Sequence, residues 1–223
     1  MWFLQSGLSL YDVLARILAV IIIVFFVLPI HEYAHALVAY KLGDKSIKYS
    51  GRMTLNPLAH LDLLGALSIL LFSFGWANPV PVDSSYFKNP KRDLALTALA
   101  GPVSNLIAAI LGGFALNLII FTNASFMGNS VNWIYSFLSY FIIINISLAA
   151  FNLVPVPPLD GSKILEAFIP NKYLSIYYEN YQKITLIMLI LLLFGVFNTP
   201  ITFIQGVLYK MVLTITSFPF YFV

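Results

Sequence analysis

The sequence predicts an all-α, polytopic membrane protein: a transmembrane helix bundle with a short re-entrant or β-hairpin element between its first and second core helices. Three observations carry this. The chain is 60% hydrophobic and 9% charged over 223 residues, whereas a soluble domain carries about a quarter charged residues, so much of its surface must face lipid. Long apolar runs recur with turn-rich segments between them. The basic residues fall mostly on one side of those runs, which suits membrane orientation better than nucleic-acid binding at a net charge of +3. Cysteine is absent, which removes disulfides and thiolate metal sites.

The first element runs from about Asp12 to Leu42, longer than a ~30 Å hydrocarbon core requires. Pro29 cannot donate its backbone N–H, so a kink is expected one turn before His31. Met1 to Tyr11 lacks a basic leader, and no cleavable signal peptide is expected, since its removal would take residues of this first run with it. From Ser46 to Pro81 the pattern changes. An apolar piece, Leu61 to Trp76, is short for a span at about 15 residues and is broken by Asp62, Gly65 and Gly75. Basic residues flank it on both sides, which fits a re-entrant or surface-embedded hairpin whose backbone is sheltered by protein.

The second span is expected over about Leu94 to Phe121. Thr97, Gly101, Ser104, Ala108 and Gly112 form a small-residue stripe for close helix contact. After the uncharged loop Thr122 to Asn132, a third span runs from about Trp133 to Leu153. It ends in Asn152-Leu153-Val154-Pro155-Val156-Pro157-Pro158-Leu159-Asp160-Gly161, where the prolines forbid a regular helix and present Asp160 from irregular backbone. A fourth apolar piece covers about Ile184 to Phe197. The sequence leaves open whether Ile201 to Val223 crosses, lies in the interface or packs as a hairpin. Residues 1–223 read as a single membrane-embedded domain, with a core of about 12–165 and C-terminal segments of about 183–223. Lys41, Lys45, Lys48, Arg52, Lys88, Lys91, Arg92, Lys163, Lys172 and Lys183 share one side, which the positive-inside rule makes cytoplasmic, with the N-terminus outside.

The first span contains His31-Glu32-Tyr33-Ala34-His35. Positions four apart share a helix face, so two imidazoles can meet one metal ion with Glu32 beside them, the arrangement of zinc hydrolases. A glutamate within a membrane span is costly and marks a functional site by default. Catalytic zinc takes three protein ligands and keeps a position for water. The third could come from His60, Asp12, Asp44, Asp62, Asp83, Asp93, Asp160, Glu166 or Glu179; Asp160 stands out because it follows a proline-rich break at the same expected depth as His35. Asn145 reads as polar packing between helices, and His60 as a cap or a residue lining the site.

Taken together, HEYAH at 31–35, AGPVSN at 100–105 and NLVPVPPLDG at 152–161 resemble the HExxH, GPxxN and NxxPxPPLDG motifs of the site-2 proteases, intramembrane zinc metalloproteases, in that family's order. Arg52-Met53-Thr54-Leu55-Asn56-Pro57 and Gly75-Trp76-Ala77-Asn78-Pro79-Val80-Pro81 resemble its small prokaryotic branch, and no stretch is long enough for the PDZ or CBS domains of larger relatives. The resemblance implies one Zn2+ held by His31, His35 and Asp160, with Glu32 as catalytic acid/base. It implies substrate-binding or oxyanion roles for Asn105 and Asn152, and a transmembrane-segment protein as substrate. It places the chain in a prokaryotic cytoplasmic membrane, with the active site toward the cytoplasm. The rival expectation is a membrane zinc transporter or metal-binding channel, which would leave Glu32 without a necessary role. Substrate identity and oligomeric state are not encoded in these motifs.

Overall fold

The computed structural model describes residues 10–65, 67, 78–122 and 129–217. Among the described residues three helices are long and apolar enough to cross a membrane: Leu10–Leu42, Pro90–Phe121 and Trp133–Asn152. The described residues contain no strand. The hairpin expected near Leu61 to Trp76 falls mostly outside them.

The first span is α1 (Leu10–Ile22) and α2 (Leu28–Leu42) joined through a π-helical turn, Ile23–Val27. The break expected at Pro29 therefore takes the form of a widened turn just ahead of it, in which the Leu28 N–H reaches back to the Ile23 carbonyl. Widening relieves a proline that can neither donate nor tolerate the carbonyl four residues before it. Two short helices follow, α3 (Ser46–Tyr49) and α4 (Pro57–His60), then a 3₁₀ turn at Ser84–Tyr86. The long α5 (Pro90–Phe121) leads to α6 (Asn129–Asn152), a proline-rich loop, and α7 (Asp160–Glu166). The chain ends in α8 (Asn171–Glu179), α9 (Tyr181–Leu193) and α10 (Asn198–Ser217).

Helix α5 is the hub, packing on α2, α6, α7 and α10, while α1 packs on α6. One apolar cluster joins Ala19, Val20, Ile23 and Val27 to Ile144 and Leu148 of α6. A second joins Ala36 and Ala39 of α2 to Ile47, Val80 and Phe87. At the first span, Arg16 is buried with its guanidinium 4.4 Å from the Tyr140 ring, and Asp12 accepts the Ser136 hydroxyl at 2.9 Å, so the polar residues of α1 find partners on α6 rather than in lipid.

The small-residue stripe of α5 is present but rotated from its expected line. Thr97, Gly101, Asn105, Ala109, Gly112 and Gly113 are buried, whereas Ser104 and Ala108 are half-buried. The reason is that α5 has partners on two sides. A Cβ on Gly112 would lie 3.0 Å from the Phe141 ring of α6, and one on Gly113 would lie 2.7 Å from Cγ2 of Thr216 on α10. The segment whose fate the sequence leaves open is thus the helix α10, docked on α5 and α6. Its Val212 lies in a third cluster with Ala109, Ile142 and Ile146, and its Thr216 hydroxyl accepts from Asn117 Nδ2 at 3.1 Å. The fourth apolar piece, α9, has 13 residues, which at ~1.5 Å each falls short of a ~30 Å core.

Gly113→Ala should force α10 away from α5 and lower stability by about 1–3 kcal/mol. Gly206→Ala, with nothing within 4 Å of the added carbon, should leave α10 in place and raise stability by about 0.5–1 kcal/mol through the better helix propensity of alanine. Thermal unfolding of both variants in detergent measures the difference.

Candidate metal centre

The helical repeat places His31 and His35 one turn apart on α2, both buried and facing α5 and the start of α7. Asp160 arrives from the other side. The loop before it cannot be helical because of its three prolines, and it folds back through hydrogen bonds from Val156 N–H to the Val154 carbonyl and from Leu159 N–H to the Val156 carbonyl. Gly161 makes this close return possible: a Cβ there would lie 2.3 Å from the Val154 carbonyl oxygen.

Three ligand atoms consequently converge. His31 Nε2 and His35 Nε2 are 3.1 Å apart, and Asp160 Oδ2 lies 3.4 Å from the first and 3.2 Å from the second. His35 Nδ1 donates to the Thr97 carbonyl at 2.7 Å, and Asn105 Oδ1 accepts from His31 Nδ1 at 3.3 Å. With both Nδ1 atoms donating, a neutral imidazole carries its lone pair on Nε2. Two lone pairs and a carboxylate oxygen facing one another in a buried space repel unless a cation lies among them. A tetrahedral zinc ion with bonds of about 2.0 Å holds its ligands about 3.3 Å apart, and the three observed separations match that spacing. Gly101 supplies the clearance, since a Cβ there would lie 2.3 Å from His35 Nε2 and 2.5 Å from His31 Nε2. His31, His35 and Asp160 thus form a cluster that could hold one metal ion.

The other candidates for a third ligand have different partners. His60 is buried and directs Nε2 to the Thr54 carbonyl at 2.8 Å. Asp44 accepts from the Ser46 and Asp83 N–H groups, Asp62 from the Gly65 N–H, Asp83 from the Ser85 N–H, and Glu166 from the Tyr178 hydroxyl. Asp93 pairs with Arg92. Asn145, on α6, spends its Nδ2 on the Phe141 carbonyl of its own helix.

Glu32 is buried beside the cluster, and its Oε2 accepts the Val80 N–H at 3.0 Å. Val80 belongs to an extended strap crossing the site, held at one end by Asn78, whose N–H donates to the His60 carbonyl and whose Nδ2 donates to that of Leu61. At the other end the Asp83 N–H donates to Asp44 at 2.9 Å. Pro79 and Pro81 lack N–H groups, so Val80 is the sole backbone donor of that tripeptide.

His31, Glu32, His35 and Asp160 share a cavity of about 230 Å³ with Val80 and Lys163. Asn152 also lines it, whereas Asn105 is fully buried behind His31. Sequence reasoning missed Lys163 and the strap contact at Val80. The lysine was detectable, because it lies three residues beyond Asp160 on a helix and so shares its face; the Val80 contact, 48 residues from Glu32, had no local signal.

Comparison with known proteins gives the family. The model for peptidase family M50 matches residues 117–196. YwhC of Bacillus subtilis (strain 168), which carries a provisional zinc-metalloprotease name, is 45% identical over 153 residues, 69% of this chain and 69% of its own length. Rip2 of Mycolicibacterium smegmatis, with a similar provisional name, is 31% identical over 62% of this chain and 52% of its own length. A protein of Methanocaldococcus jannaschii named a zinc metalloprotease is 27% identical over 83% of this chain and 45% of its own. No solved structure matches the chain significantly. The likeness to YwhC extends over more than two thirds of both sequences, and with the family match it establishes that the chain belongs to peptidase family M50, the site-2 proteases.

Proposed function

We propose that this chain is a zinc-dependent endopeptidase that hydrolyses peptide bonds within or next to transmembrane segments of membrane-protein substrates. The observation that carries the proposal is the convergence of His31 Nε2, His35 Nε2 and Asp160 Oδ2 at zinc-ligand spacing with Glu32 in the same cavity. In this reading the three residues are the ligands of one Zn2+ and Glu32 is the acid/base. Zinc bound there would lower the pKa of a coordinated water toward neutrality and polarise a peptide carbonyl.

The chain's own residues supply the rest. Glu32 is held by the Val80 N–H through Oε2, which leaves Oε1 to accept a proton from water and later deliver it to the leaving amine. Asn152 offers an amide donor to the substrate carbonyl or its developing oxyanion from the cavity wall. Lys163 lines the same cavity. A transmembrane substrate hides its peptide groups in its own helix and must unwind locally before attack. The strap then has carbonyl oxygens to offer an extended substrate, while its Val80 N–H is engaged by Glu32.

The membrane setting follows from helix length and charge. The motif lies about 14 Å from the Leu42 end of a 33-residue span, the end bearing Lys41, Lys45 and Lys48. Under the positive-inside rule the cavity is reached by water from the cytoplasm.

Glu32→Gln keeps an oxygen for the Val80 N–H but removes the base; cleavage of a single-span substrate should fall by about 10²–10⁴-fold while bound zinc is unchanged. Persistent cleavage in that variant would sink the assignment, and zinc flux into proteoliposomes without cleavage by wild type would favour a transporter. Gly101→Ala should abolish zinc binding, because its methyl group would occupy the space between the two Nε2 atoms; metal analysis of the purified variant tests this, and wild-type zinc content would refute the site.

A further inference from the structure

One face of α5 holds both imidazoles from behind. Thr97, Gly101 and Asn105 are spaced four apart and so share a helix face. The first supplies a carbonyl to His35 Nδ1, the second supplies clearance against both Nε2 atoms, and the third supplies an amide oxygen to His31 Nδ1.

Resting on the reading of His31 and His35 as metal ligands, we propose that Asn105 is a positioning residue for His31, keeping Nδ1 protonated and the Nε2 lone pair directed at the ion. Three features support it. Asn105 is 0% exposed, so substrate does not reach it without rearrangement of α5. Its Nδ2 is buried without a hydrogen-bond partner among the described residues; a leucine of similar size would avoid the cost of desolvating that donor, and what the amide provides in return is the acceptor at 3.3 Å from His31. The reverse amide orientation would donate Nδ2 to His31 Nδ1 and force the imidazole proton onto Nε2, where it would point at His35 Nε2 3.1 Å away and block ligation. The two imidazoles are therefore fixed by different means. His35 relies on a main-chain carbonyl that no substitution removes, and His31 relies on a side chain that one substitution can.

The test uses the full chain in detergent, freed of metal, with zinc affinity measured by competition against a chromophoric chelator and the site's geometry read from the visible spectrum of the cobalt(II) form. Asn105→Leu should weaken zinc binding by about 10–100-fold and change the cobalt band. Asn105→Asp, which keeps an oxygen facing Nδ1, should recover the affinity. His35→Ala, measured alongside, reports on the metal centre itself. Wild-type affinity and an unshifted cobalt band in Asn105→Leu would overturn the positioning role while leaving the centre intact; wild-type affinity in His35→Ala would overturn the centre and this role with it. Should Asn105→Leu not purify as a folded protein, Asn105→Ala and Asn105→Asp make the same comparison, and an Asp variant binding zinc no better than the Ala variant overturns the proposal.

Discussion

Two imidazoles and a glutamate buried in an apolar helix bundle, with the half-buried Asp160 against them, are tolerable only if other elements satisfy their polar atoms, and that requirement organises the structure. Each of His31, Glu32, His35 and Asp160 draws its partner from a segment distant in sequence: Asn105 and Thr97 on α5, the Val80 N–H on the strap, and the imidazoles themselves for Asp160. In a low-dielectric interior an unpaired group of this kind costs several kcal/mol. The packing of α5 against α2 is therefore inseparable from the polar cluster, and Gly101 is the position where the two helices can come close enough without displacing the imidazoles.

Regular secondary structure alone cannot bring these groups together. Three departures from it lie around the cluster: the π turn Ile23–Val27, the strap through Pro79, Val80 and Pro81, and the proline loop before Asp160. The two segments without helix are held at buried side chains, Val80 in the strap and Val154 and Val156 in the loop. Val80 shows how: its side chain is packed with Ala36, Ala39, Ile47 and Phe87 while its N–H engages Glu32. The strap is thus fixed by an apolar anchor as well as by the hydrogen bonds at Asn78 and Asp83. A chain segment held this way orients Glu32 instead of merely covering it.

Membership of family M50 and the metal cluster point to the same chemistry from independent directions. The family model matches residues 117–196, which include Asp160 but neither histidine, whereas the ligand spacing involves all three residues. A protease here needs water and an extended peptide where a bundle ordinarily admits neither. In the proposed reaction the shared cavity, lined by both the polar cluster and Lys163, would admit both.

Local sequence determined the spans, the break near Pro29, the irregular backbone before Asp160 and the pairing of His31 with His35, because periodicity, length and proline act within a few residues of themselves. Asp160 stood out among several acids by its position after a proline break, but only the fold brought it to the imidazoles and gave His60, Asp44 and Glu166 other partners. The α5 stripe turns to Asn105 and Ala109 because Asn105 meets His31 of α2 and Ala109 packs with Val212 of α10, contacts that no pattern within α5 encodes. Likewise Asn105 and Asn152 are both asparagines in motifs of the same family, yet one lies behind His31 and the other lines the cavity. The sequence specified which groups could do chemistry. Tertiary packing decided which of them face the cavity and which hold the others in place, since that depends on helix rotation and on contacts between residues far apart in the chain.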